Sequence, residues 1–120
     1  MVKLIQCSAC HLALSYPYTL SWSVLEAMAC GAPIITNIGS PISSDLTHKR
    51  NSLIVPFNDT EALAEAMIRL LQTPELREKL GQEGRGVIVK QFNLDITLLA
   101  YEELFSRLVS QAPDANQISN

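Results

Sequence analysis

The chain has 120 residues, 48% of them hydrophobic, with 9 basic and 12 acidic side chains for a net charge of -3. That is the size of one domain with enough apolar material for a packed core, which excludes an unfolded chain, and the scattered basic residues give no field for nucleic acid or an anionic membrane surface. No apolar run approaches the roughly 18 residues that span a bilayer, and the start turns polar at Lys3 and Gln6 without the shape of a signal peptide; a cytoplasmic protein without a transmembrane segment or a nucleic-acid partner is expected.

The first motif is Cys7-Ser8-Ala9-Cys10-His11, which fits haem attachment or half a zinc site. Both readings lack further ligands, because only Cys30 and His48 remain and both fall in segments with other roles. Cys10 is expected to be a core thiol, and no metal site is expected. Leu12-Ala13-Leu14 reads as a strand that stops before Pro17. A helix follows from Leu20 to Cys30, with apolar Leu20, Val24, Leu25, Met28 and Ala29 on one face, Ser21 or Thr19 as N-cap and Gly31 as its stop. Ala32 to Thr36 reads as a second buried strand and Asn37 to Ser40 as the loop after it.

Pro41 opens a short helix capped by Ser40, and Thr47 to Asn51 is a polar loop in which His48 is a surface residue rather than a base. Leu53-Ile54-Val55 is the third strand. Asp59 caps a helix from Thr60 to Leu71, with Leu63, Ala64, Met67, Leu70 and Leu71 expected inside and Glu61, Glu65 and Arg69 in water. Thr73-Pro74 starts the next helix, whose middle Gly81, Gly84 and Gly86 are expected to weaken. Asn93 caps a last helix through Leu108, and the polar tail 112–120 is expected to be disordered. The fold class is therefore α/β, a partial Rossmann-like unit with a short parallel sheet of about three strands flanked by helices over residues 1–111.

The strand, helix and strand around residues 12–36 place a helix N-terminus at the carboxyl end of a parallel strand, where open sheets bind ligands and where free N–H groups suit a phosphate. Glu26 is the one carboxylate between Val2 and Asp45. A carboxylate within about two turns of that helix start can accept hydrogen bonds from ribose hydroxyls. Together these features describe a site for a nucleotide diphosphate.

Leu25-Glu26-Ala27-Met28-Ala29-Cys30-Gly31-Ala32-Pro33-Ile34-Ile35 resembles the donor-binding signature of the group 1 retaining glycosyltransferases, and Asn51 to Asp59 and Glu61 to Arg77 resemble the stretches that follow it there. The resemblance runs from about Cys10 to Val109 and implies the latter half of the C-terminal, nucleotide-sugar domain of a GT-B fold. It implies that Leu20, Ser21, Trp22 and Ser23 bind the donor diphosphate at the helix start, that Glu26 holds the ribose, and that Tyr18, Thr19 and Ser21 face the sugar. The family's first glutamate is replaced by Tyr18, and its glycine-rich turn and glutamate near the donor by Ser40 and Ser44 or Asp45. Some bacterial relatives share the version with Leu-Ser-Trp-Ser before the signature.

The resemblance also implies that the acceptor contacts, the assisting histidine and the basic groups for the leaving pyrophosphate lie outside the matched region. No residue here is assigned as catalytic, and no cofactor is expected beyond the nucleotide-sugar donor itself. The expected function is donor binding for glycosyl transfer to a saccharide or lipid-linked acceptor, with the chain inactive alone. The alternative is a non-catalytic module that binds nucleotide or a partner chain. An open sheet edge would then be covered by a homo-oligomer, by a partner chain, or by residues 1–10 folding back.

Overall fold

The computed structural model describes residues 1–15 and 20–111, the side chain of Ser43 excepted. Two compact units divide the chain, Met1–Lys90 and Gln91–Asn120. The first unit opens with a short helix α1 (Val2–Gln6), then strand β1 (His11–Ala13), helix α2 (Trp22–Ala29), strand β2 (Ile34–Asn37), a 3-10 turn at Pro41–Ser44, strand β3 (Leu53–Val55) and helices α3 (Thr60–Gln72) and α4 (Pro74–Gln91). The strands form a parallel sheet in the order β1-β2-β3, with His11 opposite Ile34 and Ile35 opposite Leu53.

Alternate residues of β2 face opposite sides of the sheet, and each side has its own core. Ile34 joins Val24, Ala27 and Met28 of α2 together with Ile42 and Leu46. Ile35 joins Leu53, Val55, Ala66, Leu70 and Leu80 on the other side. Complete burial of side chains such as Met28, Ile34, Ile35 and Leu70 contributes about 1.5–3 kcal/mol each before the entropy of ordering is counted. Helix α4 serves both sides, since Leu76 and Leu80 pack into one cluster while Val87 and Ile88 pack against the other.

The glycines of α4 are what let it do so. A Cβ on Gly81 would collide with the carbonyl oxygen of Gly31, and one on Gly84 would sit 3.4 Å from the carbonyl oxygen of Asn51. Helix α4 runs unbroken through these residues, and at Gly81 and Gly84 the bare backbone is its contact surface. Helix α3 starts as its sequence predicts, with the Asp59 carboxylate accepting the Ala62 N–H at 2.9 Å. Its buried face is turned from the predicted one: Ala66 and Leu70 are inside with Ala62, Leu63 and Met67 packed beside them, whereas Ala64 and Leu71 are exposed. Helix α1 was not predicted, and its Ile5 packs against the α2 side of the core.

In the second unit, helix α5 (Leu94–Gln111) begins at Asn93, whose side-chain oxygen accepts the Asp95 N–H at 3.0 Å. Tyr101 and Phe105, one turn apart on this helix, stack with ring centroids 6.3 Å apart.

Candidate functional site

The carboxyl end of β1 and the start of α2 face each other across a crevice of about 180 Å³. Its walls bring together residues distant in sequence: Leu14 and Ser15 after β1, Leu20, Ser21 and Ser23 at the start of α2, and Ser40 after β2. Four serines give this space its polarity, and among the described residues no charged side chain lines it. The hydroxyls of Ser15 and Ser40 stand 3.4 Å apart, and those of Ser21 and Ser23 are 2.8 Å apart.

Ser21 occupies the N-cap position with extended backbone, yet its side chain makes no capping hydrogen bond. Of the first N–H groups of α2, that of Val24 reaches the Ser21 carbonyl at 3.2 Å. Among the described residues the N–H groups of Trp22 and Ser23 have no intrahelical carbonyl to receive them. With the positive end of the helix dipole they form a site suited to an anion at the edge of a hydroxyl-lined crevice.

Of the residues predicted to bind the donor, Leu20, Ser21 and Ser23 line this crevice. Trp22 is the first helical residue and is 79% exposed, outside the lining. Glu26 is exposed on the same helix. Three residues after Ser23, it shares that residue's face and lies about 4.5 Å further along the axis. Tyr18 and Thr19 lie outside the described residues. Sequence reasoning missed Ser15; it read Ser40 as a helix cap and, by the resemblance, as standing where the family has a glycine-rich turn near the donor. It also read Asn37 as loop. Asn37 is instead the last residue of β2, fully buried, with its side chain bonded to the backbone of Ser15. The available signal was a polar amide two residues after the apolar pair Ile34-Ile35, since an amide buried there must be hydrogen-bonded.

A second concavity of about 200 Å³ adjoins the first, with Leu14 in both walls and Val55, Phe57 and Leu63 making it mostly apolar. His48 stands elsewhere, beside β3, where its Nδ1 accepts the Ile54 N–H at 2.9 Å. Burial, then the nearby positive charges of Lys49 and Arg69, hold its pKa below the usual histidine range. A neutral imidazole bonded to an edge strand is structural. Cys7 and Cys10 are free thiols, and burial pushes the Cys10 thiol upward, away from the thiolate that metal or redox chemistry needs. Among the described residues no three His, Cys, Asp or Glu gather as metal ligands, and no helix is long and apolar enough to cross a membrane.

Over residues 2–87 the chain matches the family model for glycosyl transferases of group 1. It is 33% identical over 97 residues to exopolysaccharide phosphotransferase SCO2592 of Streptomyces coelicolor, covering 80% of this chain and 10% of that protein. It is 30% identical over 106 residues to N-acetyl-alpha-D-glucosaminyl L-malate synthase of Bacillus anthracis, covering 88% of this chain and 28% of the relative. Among solved structures, Anabaena HepE in complex with UDP-glucose superposes with a TM-score of 0.82 at 16% identity, over 88% of this chain and 29% of that one. At that identity the likeness is one of fold. The chain spans 10% and 28% of the length of these two curated relatives.

Proposed function

This chain belongs to the group 1 glycosyl transferases, with the α/β fold of part of a GT-B enzyme's nucleotide-sugar domain, and on that premise we propose that its serine-lined crevice binds the diphosphate of a nucleotide-sugar donor. The observation that carries this reading is the N-terminus of α2, which the Ser21 side chain does not cap, beside the carboxyl end of a parallel strand. In this reading the free N–H groups of the first turn and the hydroxyls of Ser21 and Ser23 hold phosphate oxygens. Glu26, on the same face, accepts the ribose hydroxyls. The structural neighbour HepE was solved with UDP-glucose and with UDP, which supports a nucleotide of this class.

The crevice is small for a whole donor. Small-molecule sites usually enclose about 300–1,000 Å³, and this one offers about 180 Å³. It suits the phosphates, and the rest of the donor and the saccharide or lipid-linked acceptor need the part of the enzyme outside this chain. Orientation of two reactants contributes about 7–11 kcal/mol to such reactions. The chain alone therefore binds donor and does not transfer sugar.

Calorimetric titration with UDP-glucose, UDP and GDP tests this, with Glu26→Gln as the variant. Losing a charge-assisted hydrogen bond of about 1.5–3 kcal/mol should raise Kd on the order of tenfold or more. Because Glu26 is exposed, the melting temperature should stay put. No binding by the native chain, or an unchanged Kd with a lowered melting temperature, would contradict the reading.

A further inference from the structure

The backbone pairing of β1 with β2 runs only as far as Ala13 opposite Thr36. In a regular parallel ladder the N–H of Ser15 would go on to a backbone carbonyl of β2, as that of His11 does to Pro33 at 2.8 Å. It goes instead to the side-chain oxygen of Asn37 at 2.8 Å, and the Asn37 Nδ2 donates to the Ser15 carbonyl at 2.9 Å. A side-chain amide carries the same donor and acceptor as a peptide, so Asn37 supplies the last rung with its side chain. Its second Nδ2 hydrogen goes to the Ile38 carbonyl at 2.9 Å, which fixes the amide from its own strand. The side chain of Asn37 thus takes the place of a backbone rung at the end of β1 where the crevice lies.

Ser15 is the residue this amide holds, and it lines the crevice with its hydroxyl 3.4 Å from that of Ser40. Asn37 itself lines the neighbouring apolar concavity, and Leu14 lines both. The amide therefore sits in the wall between the two spaces. We infer that Asn37 is a positioning residue for the phosphate crevice: without touching the donor, it sets Ser15 in the geometry that receives the diphosphate. The inference rests on the donor-site reading above.

The test is titration of the full chain with UDP and GDP, alongside thermal unfolding and amide hydrogen exchange at Ser15. Asn37→Asp keeps size and the acceptor oxygen but turns a carboxylate oxygen toward the carbonyls of Ser15 and Ile38. It should raise Kd at least tenfold at temperatures where the variant is fully folded, with faster exchange at Ser15. If Asn37→Asp does not fold, Asn37→Ser, which removes the clamp without adding charge, decides in the same way. An unchanged Kd in a folded variant, a loss of binding that only tracks the unfolded fraction, or unaltered exchange at Ser15 would overturn the inference and leave the donor site standing. Failure of the native chain to bind either nucleotide would overturn the donor site and this inference with it.

Discussion

The two ends of α2 differ in how they settle their backbone hydrogen bonds. At the carboxyl end the backbone closes on itself: the Gly31 N–H reaches the Met28 carbonyl at 2.9 Å and the Ala32 N–H reaches that of Ala27 at 2.9 Å, with Gly31 in the left-handed conformation at a φ of 79°. Ala27 and Met28 are fully buried there, and α4 presses a glycine against the same turn. At the amino end Ser21 makes no capping bond, and Trp22, Ser21 and Ser23 are exposed. Among the described residues α2 closes its carboxyl end with its own backbone and shows no matching closure at its amino end.

Gly81→Ala breaks the closed end. Its methyl would meet a backbone carbonyl that cannot turn aside, so the helix must shift; overpacking of this kind costs about 1–3 kcal/mol, with the upper figure expected here. For a domain near this size each kcal/mol lowers Tm by about 4–8 °C, so thermal unfolding should show a fall of about 12–24 °C. Nucleotide affinity of the folded fraction should be unchanged. A Tm within about 2 °C of the native value would show that the two backbones are not in contact.

This closed end also shows what a sequence withholds. Gly31 as the stop of α2, the bounds of β3 and the Asp59 cap were legible, because each depends on a local rule of conformation or side-chain bonding. Gly81 and Gly84 were read as weak helix positions because their value lies in the backbone of a segment some fifty residues away for Gly31 and thirty for Asn51, which propensity does not contain. The exposure of Ala64 and Leu71 has the same origin: several apolar faces are available on α3, and the sheet selects the one through Ala66 and Leu70. At the crevice, the helix start and its serines were legible, whereas Ser15 joined its wall, bonded to Asn37, only once two strands ended side by side.

A smaller contrast sharpens the open end. Asp59→Ala removes a cap that is made and should cost about 1 kcal/mol, a drop in Tm of about 4–8 °C. Ser21→Ala at the start of α2 removes a cap that is not made, so Tm should barely move while nucleotide binding weakens. Equal losses of stability in the two variants would mean that the open end is capped in solution.

The smallest effect concerns pH and serves as a control away from both ends. Burial lowers the pKa of His11, and burial with Lys49 and Arg69 lowers that of His48, from the ordinary value of 6.5. Below that value the unfolded chain takes up protons that the folded chain resists. The stability these groups contribute is therefore complete above pH 6.5 and is lost as pH falls through their lowered folded values. Thermal unfolding followed downward from pH 7.5 should show a shallow decline that is reduced in His48→Ala; a rise in stability on acidification would reverse the assignment.

The most direct measurement of the central claim is a map of backbone amide chemical shifts as UDP is added to the isotopically labelled chain. The account predicts the largest changes at Trp22, Ser23, Ser15 and Ser40, with the turn at Gly31 and its partner Gly81 unmoved. Changes concentrated at Gly31 and Gly81, or confined to the apolar concavity around Phe57 and Leu63, would contradict it.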